Sequence, residues 1–372
     1  MTVTFFSSVL NHHQISLCNA LRGHPDITFT FVQMIELTDE RRAQGFTAME
    51  EPFVVSAREE PEKAYRLCMD SDVVIAGVID QRWVNERIAK GKLTFAYKER
   101  FCKDPKVMLR PAFWKNGYCN YFRFRDRKLY LLCASAYTAP DTKYIFPRPE
   151  KKFKWGYFPQ LTIHPDREQH LAAKEPATIL WAGRFLDWKH PERCIQVAKR
   201  LKEEGLSFRL DIIGLGEMKA ALEAQIREND LSDCVRLLGQ MPPEQVRQHM
   251  GKSEIFLLTS NHKEGWGAVL NEAMSEGCAC VSSKQAGSTG FLIQDGKNGF
   301  SYDCQDLDTL TCRVKQLLDD KRLLRDLQTE AMKTIADQWN AQTAADRLAE
   351  FCAAVQNEEE LPVFTSGPMS RA

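Results

Sequence analysis

Residues 73–79 read Val-Val-Ile-Ala-Gly-Val-Ile, a continuous apolar run without polar alternation. A strand with one wet face alternates, so an unbroken run marks a strand covered on both faces, as in a parallel sheet. Parallel strands need crossovers, and the flanking sequence supplies them. TVTFFSS is followed by the helical spacing of HQISLCNAL and then by ITFTFVQ, with LTFAYKE and LYLLCAS as later strands. The second half repeats the alternation. TILWAGR, FRLDIIG, VRLLG, EIFLLTS and CACVSS read as strands, separated by PERCIQVAKRLKEEG, EMKAALEAQIREN, PPEQVRQHM and GAVLNEAMSEG as helices. Pro191 falls in the first turn of one such helix and Gly205 at its end, the places where each residue is favoured. The expected fold class is α/β, with two Rossmann-like doubly wound domains facing a central cleft.

A chain of 372 residues is long enough for two such cores. The boundaries read as an N-terminal domain over 1–160 and a linker over 161–176, a polar stretch broken by prolines. A C-terminal domain follows over 177–338, then a terminal helix over 339–356 packing back toward the N-terminal domain, and a disordered tail over 357–372. Twelve cysteines are scattered with no CxxC pair, which argues against a disulfide framework or a zinc site. The N-terminus lacks the basic and apolar regions of a signal peptide, and no window approaches the ~20 apolar residues of a membrane span. The expected location is the cytoplasm, at most peripheral on the inner face of a membrane.

Net charge is zero overall but unevenly spread. Residues 81–154 carry 19 Lys and Arg against 6 Asp and Glu, interleaved with Trp83, Phe101, Trp114, Tyr121, Phe122 and Phe124. Such a mixture suits an anionic acceptor or an anionic membrane surface. Nucleic acid is disfavoured, because no nucleic-acid motif accompanies the charge.

Two segments carry chemistry. In EGWGAVLNEAMSEG, Glu264 lies in a loop after a strand and Glu272 eight residues later in a helix opened by Gly265 and Gly267. The amides of Ala268, Val269 and Leu270 read as helix-start donors that suit an anion such as a diphosphate. Eight residues at ~1.5 Å rise span roughly 12 Å. That reach sets one carboxylate at a sugar and the other at a ribose, each able to accept hydroxyl hydrogens. In WAGRFLDWKHPE, Arg184 ends a strand and Lys189 follows five residues later. Two cations at a strand end can neutralise a diphosphate leaving group. Other readings are weaker. Asp70-Ser71-Asp72 and Asp306-Leu307-Asp308 match the DxD of metal-dependent glycosyltransferases but do not sit in loops after strands. IIGLGE gives only GxG of a dinucleotide fingerprint, with Lys219 where the third glycine belongs.

Taken together, residues 177–320 resemble the C-terminal domain of retaining glycosyltransferases of family 4, which have the GT-B fold. The similarity rests on Gly183-Arg184 with Lys189, on Gly214 and Gly216 in IIGLGE, and on Gly239 in LLGQM. It extends to the Glu264-to-Glu272 spacing and the turn Asp295 to Gly299. The resemblance implies that Arg184 and Lys189 hold the donor diphosphate, Glu264 touches the transferred sugar and Glu272 binds the ribose. Gly214 and the segment Gly239, Gln240 and Met241 would line the base. The family usually has a glutamate where this chain has Phe291. It implies a nucleotide-diphosphate sugar of UDP or GDP type as donor, no other cofactor, and no metal. CASAYTAPD and KWGYFP resemble a bacterial polysaccharide-biosynthesis subgroup, implying a saccharide or lipid-linked acceptor on the N-terminal side. There SSVLNHHQ replaces the glycine-rich loop of many members, and Asn11, His12 and His13 become candidate acceptor or phosphate contacts. An inactive glycosyltransferase-like scaffold or partner subunit, or a metal-dependent glycosyltransferase of another class, are the alternatives.

Overall fold

The structure is a computed structural model that describes residues 1–36, 49 and 51–372. The chain divides into two compact units, one comprising Met1–Gln160 and Trp339–Ala372, the other Leu161–Gln338.

Unit 1 is a seven-stranded sheet of β1 (Thr2–Ser7), β2 (Thr28–Gln33), β3 (Val54–Ser56), β4 (Val73–Ala76), β5 (Leu93–Lys98), β6 (Leu129–Cys133) and β7 (Lys152–Lys154). The order is β3-β2-β1-β4-β5-β6-β7, every pair parallel. The winding reverses between β1 and β4, and ligands of such sheets bind outside the strand ends at that point. The apolar run 73–79 is shorter as a strand than it reads. Gly77 still donates its N–H to the Phe6 carbonyl at 2.9 Å, but the chain then turns out and Val78 is 46% exposed. A Cβ at Gly77 would meet the Phe6 carbonyl at 2.8 Å, so the close approach that ends β4 requires glycine.

The helix Ala341–Asn357 belongs to unit 1. Its Phe351 ring lies 5.8, 5.1 and 4.8 Å from those of Phe95, Tyr130 and Phe153. In the tail expected to be disordered over 357–372, the last residues pack along β7. Lys154 donates to the Ser370 carbonyl at 2.8 Å, Met369 donates to the Lys154 carbonyl at 2.9 Å, and the Met369 side chain is 1% exposed. The reason is the edge of β7. A terminal strand leaves unpaired backbone groups that a passing segment can satisfy, and the tail fills that role whatever its composition.

Unit 2 is a six-stranded sheet of β8 (Glu175–Ala182), β9 (Arg209–Ile213), β10 (Val235–Gly239), β11 (Ser253–Leu258), β12 (Ala279–Ser283) and β13 (Phe300–Tyr302). The order is β10-β9-β8-β11-β12-β13, again all parallel, with the reversal between β8 and β11. The linker reading of 161–176 is also corrected. The stretch contains the helix Arg167–Ala172 and the start of β8. Lys174 is buried, with its Nζ donating to the carbonyls of Met250, Gly251 and Ser253 at 3.0, 3.2 and 2.8 Å. His164 and His170 reach the carboxylate and the carbonyl of Glu276 at 2.9 and 3.0 Å. Polar residues that look solvent-exposed in sequence here satisfy the end of the helix Pro243–Lys252 and the turn after Val269–Ser275.

Candidate active site

The predicted residues of the second half gather at the carboxyl ends of β8, β9, β10 and β11, around the reversal point of unit 2. Three glycines end neighbouring strands. Gly183 donates its N–H to the Ile213 carbonyl at 3.0 Å, and Gly214 donates to the Gly239 carbonyl at 2.8 Å. A Cβ on Gly214 would lie 1.8 Å from the Gly183 carbonyl, and one on Gly216 would lie 2.5 Å from the Phe185 carbonyl. Both glycines also have positive φ, 149° and 157°. Backbone therefore approaches backbone across this edge, leaving a floor of peptide groups without side chains. Gln240 is exposed and Met241 half-buried beyond it.

Lys189 closes a short turn, Asp187–Lys189, whose backbone is tied to the neighbouring strand. Its carbonyl accepts from Thr259 Oγ1 at 2.7 Å, and Thr259 Oγ1 accepts from Trp181 Nε1 at 2.8 Å. Asn261 N–H donates to the Trp188 carbonyl at 2.8 Å. The ammonium lies 2.6 Å from Glu264 Oε2, which also accepts from Ser260 Oγ at 3.0 Å. Glu264 is 8% exposed. The diphosphate candidate and the sugar candidate are thus in direct contact. Arg184, the other predicted cation, is exposed at the end of β8.

His190, just after the clamp turn, was not singled out from the sequence. It sits at φ 50°, donates from Nδ1 to Glu192 Oε1 at 2.8 Å and accepts at Nε2 from Asn261 Nδ2 at 3.0 Å. The two partners fix its tautomer, with the proton on Nδ1. His190 and Asn261 therefore brace the two loops that present Lys189 and Glu264. Their only sequence signal is adjacency to those residues.

The loop from Glu264 runs through Gly267, at φ 90°, into the helix Val269–Ser275. Trp266 is buried and donates from Nε1 to Asn271 Oδ1 at 2.8 Å, which fixes the loop to the helix that carries Glu272. Phe291, in the place of the family's glutamate, puts its ring 6.2 Å from that of Trp266. Of the three predicted amides, that of Leu270 is already engaged, donating to the Gly267 carbonyl at 3.0 Å. This helix has only 7 residues. A helix this short adds little dipole, so the cations dominate the electrostatics of this edge. Glu272 is buried, and burial pushes its carboxyl up to about 7, with Arg247 pulling it down and Glu276 adding to the rise. The turn Asp295 to Gly299 is structural. Asn298 is buried and bonds Gln294 N–H, the Leu292 carbonyl and Thr334 Oγ1.

The two DxD strings are spent elsewhere. Asp72 accepts from Thr2 N–H at 2.7 Å, and Asp306 caps the helix Leu307–Asp319. In unit 1, Asn11 shapes the turn before the helix Ile15–Gly23. Its Oδ1 accepts from His13 N–H at 3.0 Å and its carbonyl accepts from Gln14 N–H at 2.9 Å. The His12 and His13 rings lie 3.8 Å apart, and His13 lies 6.0 Å from Tyr157.

Residues 163–334 match the family model described as Glycosyl transferases group 1. This part of the chain is similar to the group 1 glycosyltransferase domain. The amylovoran biosynthesis glycosyltransferase AmsK of Erwinia amylovora is 30% identical over 185 residues, 48% of this chain and 45% of the relative. The colanic acid biosynthesis glycosyltransferase WcaL of Escherichia coli strain K12, itself a putative assignment, is 28% identical over 193 residues, 49% of this chain and 47% of the relative. The chain spans about half the length of these curated relatives in the matches. Among solved structures, Anabaena Alr3699/HepE in complex with UDP superposes with a TM-score of 0.70 at 14% identity, covering 95% of this chain and 100% of that one. The lipopolysaccharide outer core galactosyltransferase WaaB in its apo form gives 0.67 at 18%, covering 96% and 100%. The fold is GT-B, and the segment that matches the group 1 model lies in its second Rossmann-like unit.

Proposed function

We propose that the chain transfers a sugar from a nucleotide-diphosphate donor to a saccharide or lipid-linked acceptor, with retention of anomeric configuration. Unit 2 binds the donor and unit 1 the acceptor. The observation that carries this reading is the Lys189–Glu264 contact of 2.6 Å at the glycine-floored strand ends of a group 1 domain. Lys189 and exposed Arg184 neutralise the diphosphate as it leaves, Glu264 orients the sugar hydroxyls, and Glu272 takes the ribose hydroxyls. Gly183, Gly214 and Gly239 give the base and phosphates access to bare backbone. No metal or further cofactor enters, so turnover should persist in excess chelator.

A thermal-shift panel of nucleoside diphosphates and their sugars tests the reading. A ligand at a hundredfold excess over its Kd adds about 2.7 kcal/mol, a rise of several degrees in Tm for a unit of this size. We expect one nucleoside, uridine or guanosine, to give that rise as its diphosphate and the matching nucleotide sugar to release that nucleoside diphosphate with an acceptor. A panel without any shift sinks the reading.

The basic, aromatic stretch supports a membrane-facing acceptor side, in an altered form. Lys152 is buried, its Nζ on the Ala139 carbonyl at 3.0 Å, and Arg87 is fully buried, so neither can meet a surface. The exposed set is instead Leu109 (82%), Trp114 (42%), Tyr118 (58%) and Tyr144 (61%), with exposed Lys106, Arg110, Lys115, Arg123 and Lys143 among them. Each cation near an anionic surface contributes about 1 kcal/mol, screened within ~10 Å at 0.1 M salt. Co-sedimentation with phosphatidylglycerol vesicles should therefore weaken steeply from low to moderate salt. It should be lost when Lys106, Lys115, Arg123 and Lys143 are all changed to glutamine, with nucleotide binding spared. Indifference of the wild-type chain to anionic vesicles at low salt removes the membrane from the reading.

A further inference from the structure

Lys98 ends β5, one strand from the β1/β4 reversal of unit 1. Its ammonium donates to the Gly77 carbonyl at 2.7 Å, and among the described residues no carboxylate stands within ion-pair distance of it. The neighbouring carboxylate, Glu99, is committed elsewhere. Its Oε1 accepts from Tyr157 at 2.8 Å and its Oε2 from Lys103 at 2.6 Å. Burial pushes the Lys98 ammonium down to about 8, with no charged neighbour contributing. A half-buried ammonium that uses one of three donors and lacks a counter-ion carries an unmet demand for an anion.

A second unmet demand lies on the same sheet edge. Gln14 is 6% exposed. Its Nε2 donates to Ser7 Oγ, at the end of β1, at 2.8 Å, while its Oε1 has no hydrogen-bond partner among the described residues. Buried polar atoms are paired in nearly all native structures, so an orphan at a ligand-binding edge points to a ligand that completes it. β1, β4 and β5 are neighbours in the sheet, and the Lys98 ammonium reaches the Gly77 carbonyl at the end of β4, so both unmet groups lie at adjacent strand ends.

We propose that the strand ends of β1, β4 and β5 form a subsite for a sugar bearing an oxyanion, a carboxylate or a phosphate, with Lys98 taking the anion and Gln14 a hydroxyl. This deepens the acceptor assignment of unit 1 and rests on it for its biological sense. The binding event itself does not depend on the donor reading.

The test is calorimetric titration of the full chain with methyl glucuronide, glucose 6-phosphate and methyl glucoside, repeated with UDP or GDP at saturation. The wild-type chain should bind at least one anionic sugar tenfold or more tighter than the neutral one, and the tighter of the two identifies the oxyanion. Saturating nucleotide should leave that preference in place. Lys98→Met and Lys98→Gln should abolish the preference while nucleotide affinity is kept. Should either variant fold poorly, the Lys98 side-chain resonance of the wild-type chain must shift with the anionic sugars and not with methyl glucoside. Equal affinity for all three sugars, no binding of any, a preference that survives in the variants, or its displacement by nucleotide overturns the proposal. Failure of nucleotide binding alone would instead count against the donor reading and leave the anion preference to be judged separately.

Discussion

Lys189→Ala should lower turnover by about 100-fold or more, the usual cost of deleting one donor that stabilises developing charge. It should also destabilise unit 2. Lys189 and Glu264 side chains are only 15% and 11% exposed, and removing one partner of a buried pair leaves the other charge uncompensated, at about 3 kcal/mol or more. After the change Glu264 keeps Ser260 Oγ as its bond, which cannot balance a full charge. The two effects separate in a double variant. Lys189→Ala with Glu264→Ala removes the stranded carboxylate and should recover part of the lost stability, while turnover stays low. Urea unfolding and nucleoside diphosphate release from the donor, both measured well below Tm, check this. Near-normal turnover in Lys189→Ala would end the clamp assignment. Strictly additive stabilities would show that the 2.6 Å contact carries no coupling.

The parts of the fold legible in the sequence are those where one interaction dominates. β1, β2, β4, β5, β6, β8 and β12 are largely apolar because most of their length is covered on both faces. What the sequence hides is set by partners distant in the chain. β3, β7 and β13 are three residues each, too short to show periodicity, and exist because a neighbouring strand offers an open edge. The helices Pro61–Asp70, Gln81–Ala89 and Pro111–Asn120 carry polar faces and a glycine, so their apolar stripes are narrow. The ordered tail and the packed stretch 161–176 follow the same logic. Their backbone and lysine groups are satisfied by carbonyls 70 or more residues away, and no local pattern encodes such a bond.

The candidate site divides similarly. Glycines announce themselves, because at Gly214 and Gly216 any side chain would collide with backbone. Charged residues at strand ends announce themselves too, since their desolvation needs a reason. The residues that hold them in place do not. Thr259, Ser260, Asn261 and His190 are ordinary loop residues in sequence, and only their hydrogen bonds to the Lys189 carbonyl, to Glu264, to the Trp188 carbonyl and to one another show that they hold these side chains in place. The same holds for Lys98 and Gln14, whose donors and acceptor left unmet among the described residues no local pattern announces.

Glu272→Gln is expected to make the protein more stable and a poorer nucleotide binder at the same time. Burial raises the carboxyl from 4.5 to about 7. The folded state therefore holds a proton that the unfolded state has released across this window, and stability falls as pH rises from 4.5 to about 7. The accumulated penalty above pH 7 is about 3 kcal/mol, at 1.36 kcal/mol per unit. Glutamine is uncharged at every pH and escapes it. Relative to wild type, the variant should gain up to that amount at pH 8 and little at pH 4, read by urea unfolding at the two values. Affinity should move the other way. In the proposed donor site the ionised carboxylate accepts two ribose hydroxyls, and hydrogen bonds to a charged group contribute about 1.5–3 kcal/mol, so nucleotide affinity at pH 8 should drop by roughly tenfold or more. Wild-type affinity should also weaken as pH falls through 7, because protonation removes the acceptor, and that pH dependence should vanish in Glu272→Gln. A variant that gains stability but keeps both affinity and its pH dependence would show that Glu272 is buried for packing alone and that the ribose is held elsewhere.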